Sequence, residues 1–368
     1  MPRARLALLP LTLLAVALTL AVSCGGGDQE KPLPTRTPAA GAQQPRPYVM
    51  GFSSQPPSPG DEAYKATFRF IGQLGEVVLI QRAPPWTDFL PGATISERTQ
   101  ALTALERDQA RINNLKLFLA VDATDPADRG QLNTLPENLK GHDFSDPGIR
   151  SAFIAYAQYL ALNYKPAYLA LGVEMDLFYG RRGDGPFRNF QSVYFEAYDA
   201  VKRSSPHTLV FPTFQYEGMI GGLRSGERAQ VAWSLVNRFE PKIDMLGISS
   251  YPSLIYKTPE EVPPNYYQAL RGRLDRPIAF TSFGWPSAQE GLDATQAEAA
   301  QANFMRRMLL DADSLRATMV IWYLARDPTT NLGAAFQPLS TAGLFAADGR
   351  SKPGLQLWRL LVDRPAPR

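Results

Sequence analysis

Cysteine and histidine are nearly absent from this 368-residue chain, which has one Cys and two His. One thiol cannot close an internal disulfide or supply a zinc knuckle. Two imidazoles leave a His-rich metal site without ligands. An excess of one charge sign is lacking too: Lys+Arg total 38 against 35 Asp+Glu, a formal net charge of +3. That balance gives no electrostatic footprint for nucleic acid. Asp125, Asp128 and Asp143 do not have the spacing of a calcium loop. The first strand candidate runs into Met50-Gly51-Phe52-Ser53-Ser54, which lacks the G-x-G-x-x-G spacing of a dinucleotide fold. No metal and no cofactor are expected. What is present is a hydrophobic share of 45%, enough for a sizeable core.

Arg3 and Arg5 precede an apolar stretch over 6–22, interrupted by Pro10, Thr12 and Thr19. A basic start followed by a short apolar run reads as an export signal. The run is short for a membrane span and carries a proline. It ends Ala21-Val22-Ser23-Cys24, with small residues before the chain's only cysteine. This resembles the lipobox of bacterial lipoproteins. The resemblance implies cleavage before Cys24, lipidation of Cys24, and an exported, membrane-anchored protein at the cell surface or in the periplasm. An ordinary signal peptide with an incidental cysteine is the alternative. Gly25-Gly26-Gly27 and Pro32, Pro34, Pro38, Pro45 and Pro47 then make 24–47 a linker with almost nothing to bury. The expected layout is a signal peptide over 1–23, an anchor and linker over 24–47, and a globular body over 48–368.

In the body, short apolar runs alternate with amphipathic stretches. Strands are expected at 48–53, 76–82, 115–122, 167–174, 208–214, 243–249, 277–282 and 318–324. Helices are expected at 95–113, 149–164, 190–203, 228–239, 295–312 and 354–361, with Ser96, Asp146 and Asp293 at or near N-caps. Strands alternating with helices imply parallel pairing. Eight such units fit an α/β fold of one kind, a single (β/α)8 TIM barrel. A doubly wound open sheet is the alternative.

Catalytic groups of such barrels sit at the C-terminal strand ends. Those ends gather Gln81-Arg82 with Trp86, Asp122, Glu174 with Asp176, Gln215 with Glu217, Tyr251-Pro252, Ser282 to Ser287, and Trp322 ahead of Arg326. The pattern resembles the clan A glycoside hydrolases, the barrel group that includes endo-β-1,4-galactanases and endo-β-1,3-glucanases. Glu174 stands at the clan's acid/base position, with Val173 in place of the usual Asn. Thr281-Ser282-Phe283-Gly284-Trp285-Pro286-Ser287 matches the clan's seventh-strand motif, except that Ser282 stands where the nucleophilic Glu belongs. The resemblance implies a polysaccharide or oligosaccharide partner, with Glu174 and Ser282 at the catalytic positions. Arg82, Trp86, Asp122, Asp176, Gln215, Tyr251, Trp285 and Trp322 are the candidate substrate-binding residues. The membrane is a partner only through the N-terminal lipid, and a monomer is expected.

The serine matters chemically. Retaining glycosidases need two carboxyl groups about 5–5.5 Å apart, one as acid and one as nucleophile. A neutral hydroxyl needs a base to attack, and His142 is the only imidazole expected near enough, since His207 opens the fifth strand at the opposite rim. Ser282 also lacks the G-x-S-x-G elbow. Asp176, Glu217 and Glu290 are either substitute carboxylates or solvated loop residues. Glu174 reads as a site carboxylate, with Arg82 and Arg326 as substrate clamps or counter-charges; simple pairing of Glu174 with Arg82 or Arg326 is the alternative. Trp86, Tyr251, Trp285 and Trp322 either stack on sugar rings or pack the barrel mouth. Phe178, Tyr179, Phe187 and Phe190 form a second aromatic group, and Arg181-Arg182-Gly183-Asp184-Gly185 reads as a mobile flap. Trp233 and Trp358 are expected to pack helices. Three functions follow: glycan binding with standard retaining hydrolysis lost, O-glycosyl hydrolysis through a substitute carboxylate, or Ser-dependent cleavage of another bond.

Overall fold

A computed structural model describes residues 45–223 and 233–367. Cys24, the expected signal segment and most of the expected linker lie outside these residues, as does the first part of the helix expected at 228–239. Nine parallel strands form one sheet: β1 (Val49–Ser53), β2 (Val77–Arg82), β3 (Lys116–Val121), β4 (Tyr168–Leu171), β5 (Leu209–Phe211), β6 (Thr213–Gln215), β7 (Leu246–Ser250), β8 (Ile278–Phe283) and β9 (Met319–Trp322). Most strand bodies are apolar, as sheets covered on both faces require, with polar residues gathered toward the C-terminal ends of β2, β6, β7 and β8.

The expected fifth strand is split in two. Pro212 has no N–H to give the ladder, so the strand breaks there. β5 pairs with β4, while β6, after the proline, pairs with β7. β1 pairs with both β2 and β9. The two ends of the sheet order are thus consecutive pieces of chain, and the ring closes as a (β/α)8 barrel. Asp244 N–H to Val210 O at 2.9 Å and Thr213 N–H to Gly172 O at 3.0 Å stitch the seam. Gly51 is required at the β1–β2 contact, because a Cβ there would lie 2.0 Å from Val77 O.

Helices cover the sheet, and their starts follow local chemistry. Ser96 Oγ accepts the Thr99 N–H ahead of Glu97–Ile112. Asp146 accepts the Gly148 and Ile149 N–H groups ahead of Pro147–Tyr164, with proline at the first turn. Asp293 and Gln296 form a capping box at Ala294–Ser314. Trp358, on Gly354–Val362, is fully buried and donates from Nε1 to Leu74 O. Trp233 is half-buried, with Arg273 5.0 Å from its ring centroid.

The N-terminal edge of the body begins earlier than its composition suggests. Arg46 is buried, pairs with Glu76, and donates to Leu361 O and Tyr48 O. Its N–H reaches Pro365 O, so both ends of the described body meet beneath the barrel.

Candidate functional site

The fourth strand ends sooner than expected and places Glu174 by a backbone kink. β4 stops at Leu171. Gly172 follows at φ 113 and Glu174 at φ 53, in the left-handed region, as the residue preceding the helix Met175–Arg182. The Glu174 N–H is held by Thr213 Oγ1 at 3.0 Å. Its carboxylate is gripped on both oxygens. Arg129 Nη2 donates to Oε2 at 2.8 Å, and Ser249 Oγ donates to Oε1 at 2.8 Å.

Arg129 is the hub of this side of the barrel. Its Nη1 pairs with Asp122 Oδ1 at 2.5 Å and also meets Thr124 Oγ1 at 3.2 Å. Gln81 Nε2 donates to the other Asp122 oxygen at 2.8 Å. Burial pushes the Asp122 carboxyl up to about 6 even though Arg129 draws it down. Arg82, an expected partner of Glu174, instead pairs with Glu106, which also accepts hydrogen bonds from Tyr64 and Tyr164. Arg326 donates to Ala347 O and does not line the cleft.

On the β7–β8 side, Ser282 Oγ and Tyr251 Oη lie 2.6 Å apart, and Ser282 is in register with Ser249, which holds Glu174. No carboxylate stands at that position. A cleft of about 580 Å³ opens between these two sides. Its polar flank carries Gln81, Arg82, Asp122, Arg129, Glu174 and Gln215, and its opposite flank carries Leu254, Tyr323, Leu332, Phe336 and Leu339. Asp122 and Glu174 are the only carboxylates in the lining among the described residues. Among the described residues no three His, Cys, Asp or Glu side chains converge as metal ligands.

Three of the expected stacking residues are elsewhere. Trp86 is buried and donates from Nε1 to Asn133 O at 2.7 Å. Trp285 is buried against Phe304 and donates to Gln289 Oε1 at 3.2 Å. Trp322 is buried against Phe283 and donates to Ala342 O at 2.6 Å. None of the three lines the cleft, because each indole N–H is satisfied inside the packing around the barrel. Tyr251 does line it, with Tyr323 beside it.

Asp176 and Glu217 are corrections of another kind. Neither is a solvated loop carboxylate: both are buried, and neither lines the cleft. Asp176 accepts the Gln215 N–H at 2.7 Å, leaves Oδ2 without a partner, and is pushed by burial up to about 8. Glu217 accepts from Gln215 Nε2, Ser250 Oγ, Tyr251 N–H and Tyr266 Oη, and burial pushes it up to about 7. Glu217 thereby fixes the backbone of Tyr251. Glu290 is an exposed loop residue.

The serine-histidine pairing is not assembled. His142 is exposed and has Nδ1 on Asp146 Oδ2 at 2.8 Å, outside the cleft lining. His207 is exposed in the turn before β5. The expected mobile flap is regular structure, since Met175–Arg182 and Asp184–Ser204 are helices joined at Gly183. Arg182 is tied to Gly130 O and Asp143, and Arg238 to Asp184. Phe178, Phe187 and Phe190 are buried in one packed cluster with Phe144 and Phe153, and Tyr179 meets Phe187 edge-on.

No protein-family model matches the chain, and no curated protein matches it in sequence. Solved structures do match. An exo-β-1,4-mannosidase, Op5Man5, from an Opitutaceae bacterium superposes with a TM-score of 0.63 at 18% identity, over 88% of this chain and 60% of that one. The chain thus spans less than two thirds of the mannosidase. A GH5_18 protein from Streptomyces cattleya, in complex with Manβ1-4GlcNAc, gives 0.65 at 18% identity over 88% and 83%. Xylanase 10B from Thermotoga maritima gives 0.58 at 11% identity over 86% and 95%. The strand order, the closed parallel ring and these superpositions together establish that the chain has a (β/α)8 barrel fold, the fold it shares with these glycoside hydrolases.

Proposed function

We propose that this protein is a glycan-binding barrel of glycoside-hydrolase type that has lost standard retaining hydrolysis. One observation carries the reading: Ser282, hydrogen-bonded to Tyr251, lines the same cleft as Glu174, and Asp122 is the only other carboxylate in that lining among the described residues. Retaining chemistry needs two carboxyl groups facing the anomeric carbon. Here both cleft carboxylates belong to the β3–β4 side and share one guanidinium. Each Glu174 oxygen already receives a donor, so proton delivery to a leaving oxygen would break a bond at 2.8 Å. The polar groups that remain suit binding. Arg129, Gln81 and Tyr251 offer donors, Asp122 and Glu174 offer acceptors, and the Tyr323–Phe336 flank offers an apolar face to a sugar ring. The neighbours named for β-mannosidase action and for a Manβ1-4GlcNAc complex support β-linked, mannose-containing oligosaccharides as first probes.

The purified chain is expected to bind such oligosaccharides in calorimetry and to release no reducing ends. Glu174→Gln and Arg129→Gln each remove a charged hydrogen-bonding group, which costs binding on the order of 10-fold or more. Rapid turnover that Glu174→Gln abolishes would overturn the binding reading. It would favour the second reading, hydrolysis with Asp122 as the substitute carboxylate, to which the shared Arg129 gives some support. Abolition by Asp122→Asn as well would establish that second reading.

The same proposal holds the chain at a membrane through a lipid on Cys24, on the strength of the Ala21-Val22-Ser23-Cys24 pattern after a basic, apolar start. In an expressing bacterium, the protein is expected in the membrane fraction and Cys24→Ser in the soluble fraction. Equal partition of the two would exclude lipid anchoring.

A further inference from the structure

We infer that a second cavity, outside the barrel mouth, is a binding site for a carboxylated sugar. It measures about 490 Å³ and lies between the loop after β2 and the helices Glu97–Ile112 and Pro147–Tyr164. Arg82 and Ala83 line both this cavity and the cleft, so the two share a wall. No step assigned to the cleft uses it.

Its lining has donors without acceptors. Tyr156 is only 4% exposed, yet its hydroxyl bonds to no group among the described residues. The hydroxyl is nevertheless reached by solvent rather than sealed in the packing, and this is the cavity that Tyr156 lines. Water in the cavity, or a ligand that displaces it, is the partner open to that hydroxyl. Arg98, at the mouth, makes neither an ion pair nor a hydrogen bond among the described residues. Arg82 uses Nη2 alone, on Glu106. The one carboxylate in the lining, Asp88, already accepts the Ser96 N–H at 3.2 Å and the Ser96 hydroxyl at 2.6 Å on Oδ2. Arg82 is charge-matched by Glu106, so Arg98 and the Tyr156 hydroxyl are the donors left for an anion, and a guanidinium and a phenol match carboxylate oxygens well.

The rest of the lining describes the body of the ligand. The rings of Tyr156, Tyr159 and Tyr164 and the side chains of Leu102 and Leu160 are apolar surfaces, while Thr87 and Thr99, whose hydroxyls also meet Asp88, add polar groups. A ring with an apolar face, equatorial hydroxyls and one carboxylate satisfies all three features. The volume falls within the range of small-molecule pockets. The ligand class is therefore a uronic acid, free or as a branch of a longer glycan. The site does not depend on the cleft reading, since no cleft carboxylate touches it.

The test is calorimetric titration of the full-length protein with D-glucuronate, D-glucose and benzoate. Glucuronate is expected to bind at least about 10-fold more tightly than glucose, which lacks the charge, and than benzoate, which lacks the hydroxyls. Arg98→Gln should weaken glucuronate about 10-fold and Tyr156→Phe about 5-fold. Arg129→Gln, in the cleft, should leave it unchanged. Tyr156→Phe keeps the ring, and Arg98 is exposed, so both variants keep the fold. Absence of glucuronate binding, equal binding of glucose or benzoate, or loss with Arg129→Gln while Arg98→Gln has no effect would each overturn the inference. Failure of the cleft proposal would show separately, as no oligosaccharide binding in a protein that still takes glucuronate.

Discussion

The Ser282 side chain carries one hydrogen bond, to Tyr251, near the end of β8, at the position to which the sequence resemblance assigns a nucleophilic Glu. A carboxylate at 282 would accept a hydrogen bond from the Tyr251 hydroxyl and would share the cleft with Glu174. Ser282→Glu is therefore expected to release nitrophenol from aryl β-glycosides at least about 10-fold faster than the wild-type chain, since it supplies the missing covalent partner. A folded Ser282→Glu variant with no gain would mean that Arg129 holds Glu174 out of reach of the leaving oxygen. The rim location of Ser282 and Glu174 was readable from the strand-end motifs, and both line the cleft. Arg129 was not readable. It sits in a polar loop, and nothing in its neighbours distinguishes it from Arg82 or Arg326 as the partner of Glu174. The stacking role of Trp86, Trp285 and Trp322 failed for a physical reason: an indole buries most stably when its N–H finds an internal acceptor. All three find one. Glu106 left a trace in the sequence. Thr103, Glu106 and Ala110 share one face of a helix, and that face is the buried one.

Alternation of apolar runs with amphipathic stretches was enough to place the strands, because a strand covered on both faces must be apolar through most of its body. Pro212 was visible within the fifth run, and its missing N–H is what divides β5 from β6. The fourth strand was overextended because Val173 and Glu174 continue its apolar-to-rim pattern. The left-handed φ of Glu174 comes from the site geometry and not from propensity. Helix starts were the most legible feature, since a cap is a local bond. At Ala294–Ser314 the Asp293 side chain accepts the Gln296 N–H at 2.9 Å, and Gln296 Oε1 accepts the Asp293 N–H at 3.1 Å. Asp293→Ala removes one side of that reciprocal pair and is expected to destabilise the chain by about 1 kcal/mol. Urea unfolding would register this as a lower midpoint at unchanged slope. A midpoint within error of wild type would mean that the first turn is held by packing alone.

Among the described residues of the molecule, burial raises Asp122 to about 6, Glu217 to about 7 and Asp176 to about 8, and it raises Asp311 and Asp327 as well. In the unfolded chain the same groups ionise near 4. Between about pH 4 and 8 the native state therefore holds protons that the unfolded state has released. Stability changes with pH in proportion to protons bound unfolded minus protons bound native, which is negative here. These groups make the fold less stable as pH rises through that window. Asp88, Asp143, Asp146 and Glu298 are lowered instead, chiefly by hydrogen bonds that outweigh burial, and their contribution is lost only below the ordinary carboxylate range. The two sets place the stability maximum on the acid side of neutrality. Urea midpoints are expected to be higher at pH 5 than at pH 8. Asp176→Asn keeps an acceptor for the Gln215 N–H and cannot ionise, so it should flatten that slope and stabilise the chain most at pH 8. A midpoint that rises from pH 5 to pH 8, or an Asp176→Asn variant with an unchanged slope, would mean that water or backbone movement relieves these carboxylates in the native barrel.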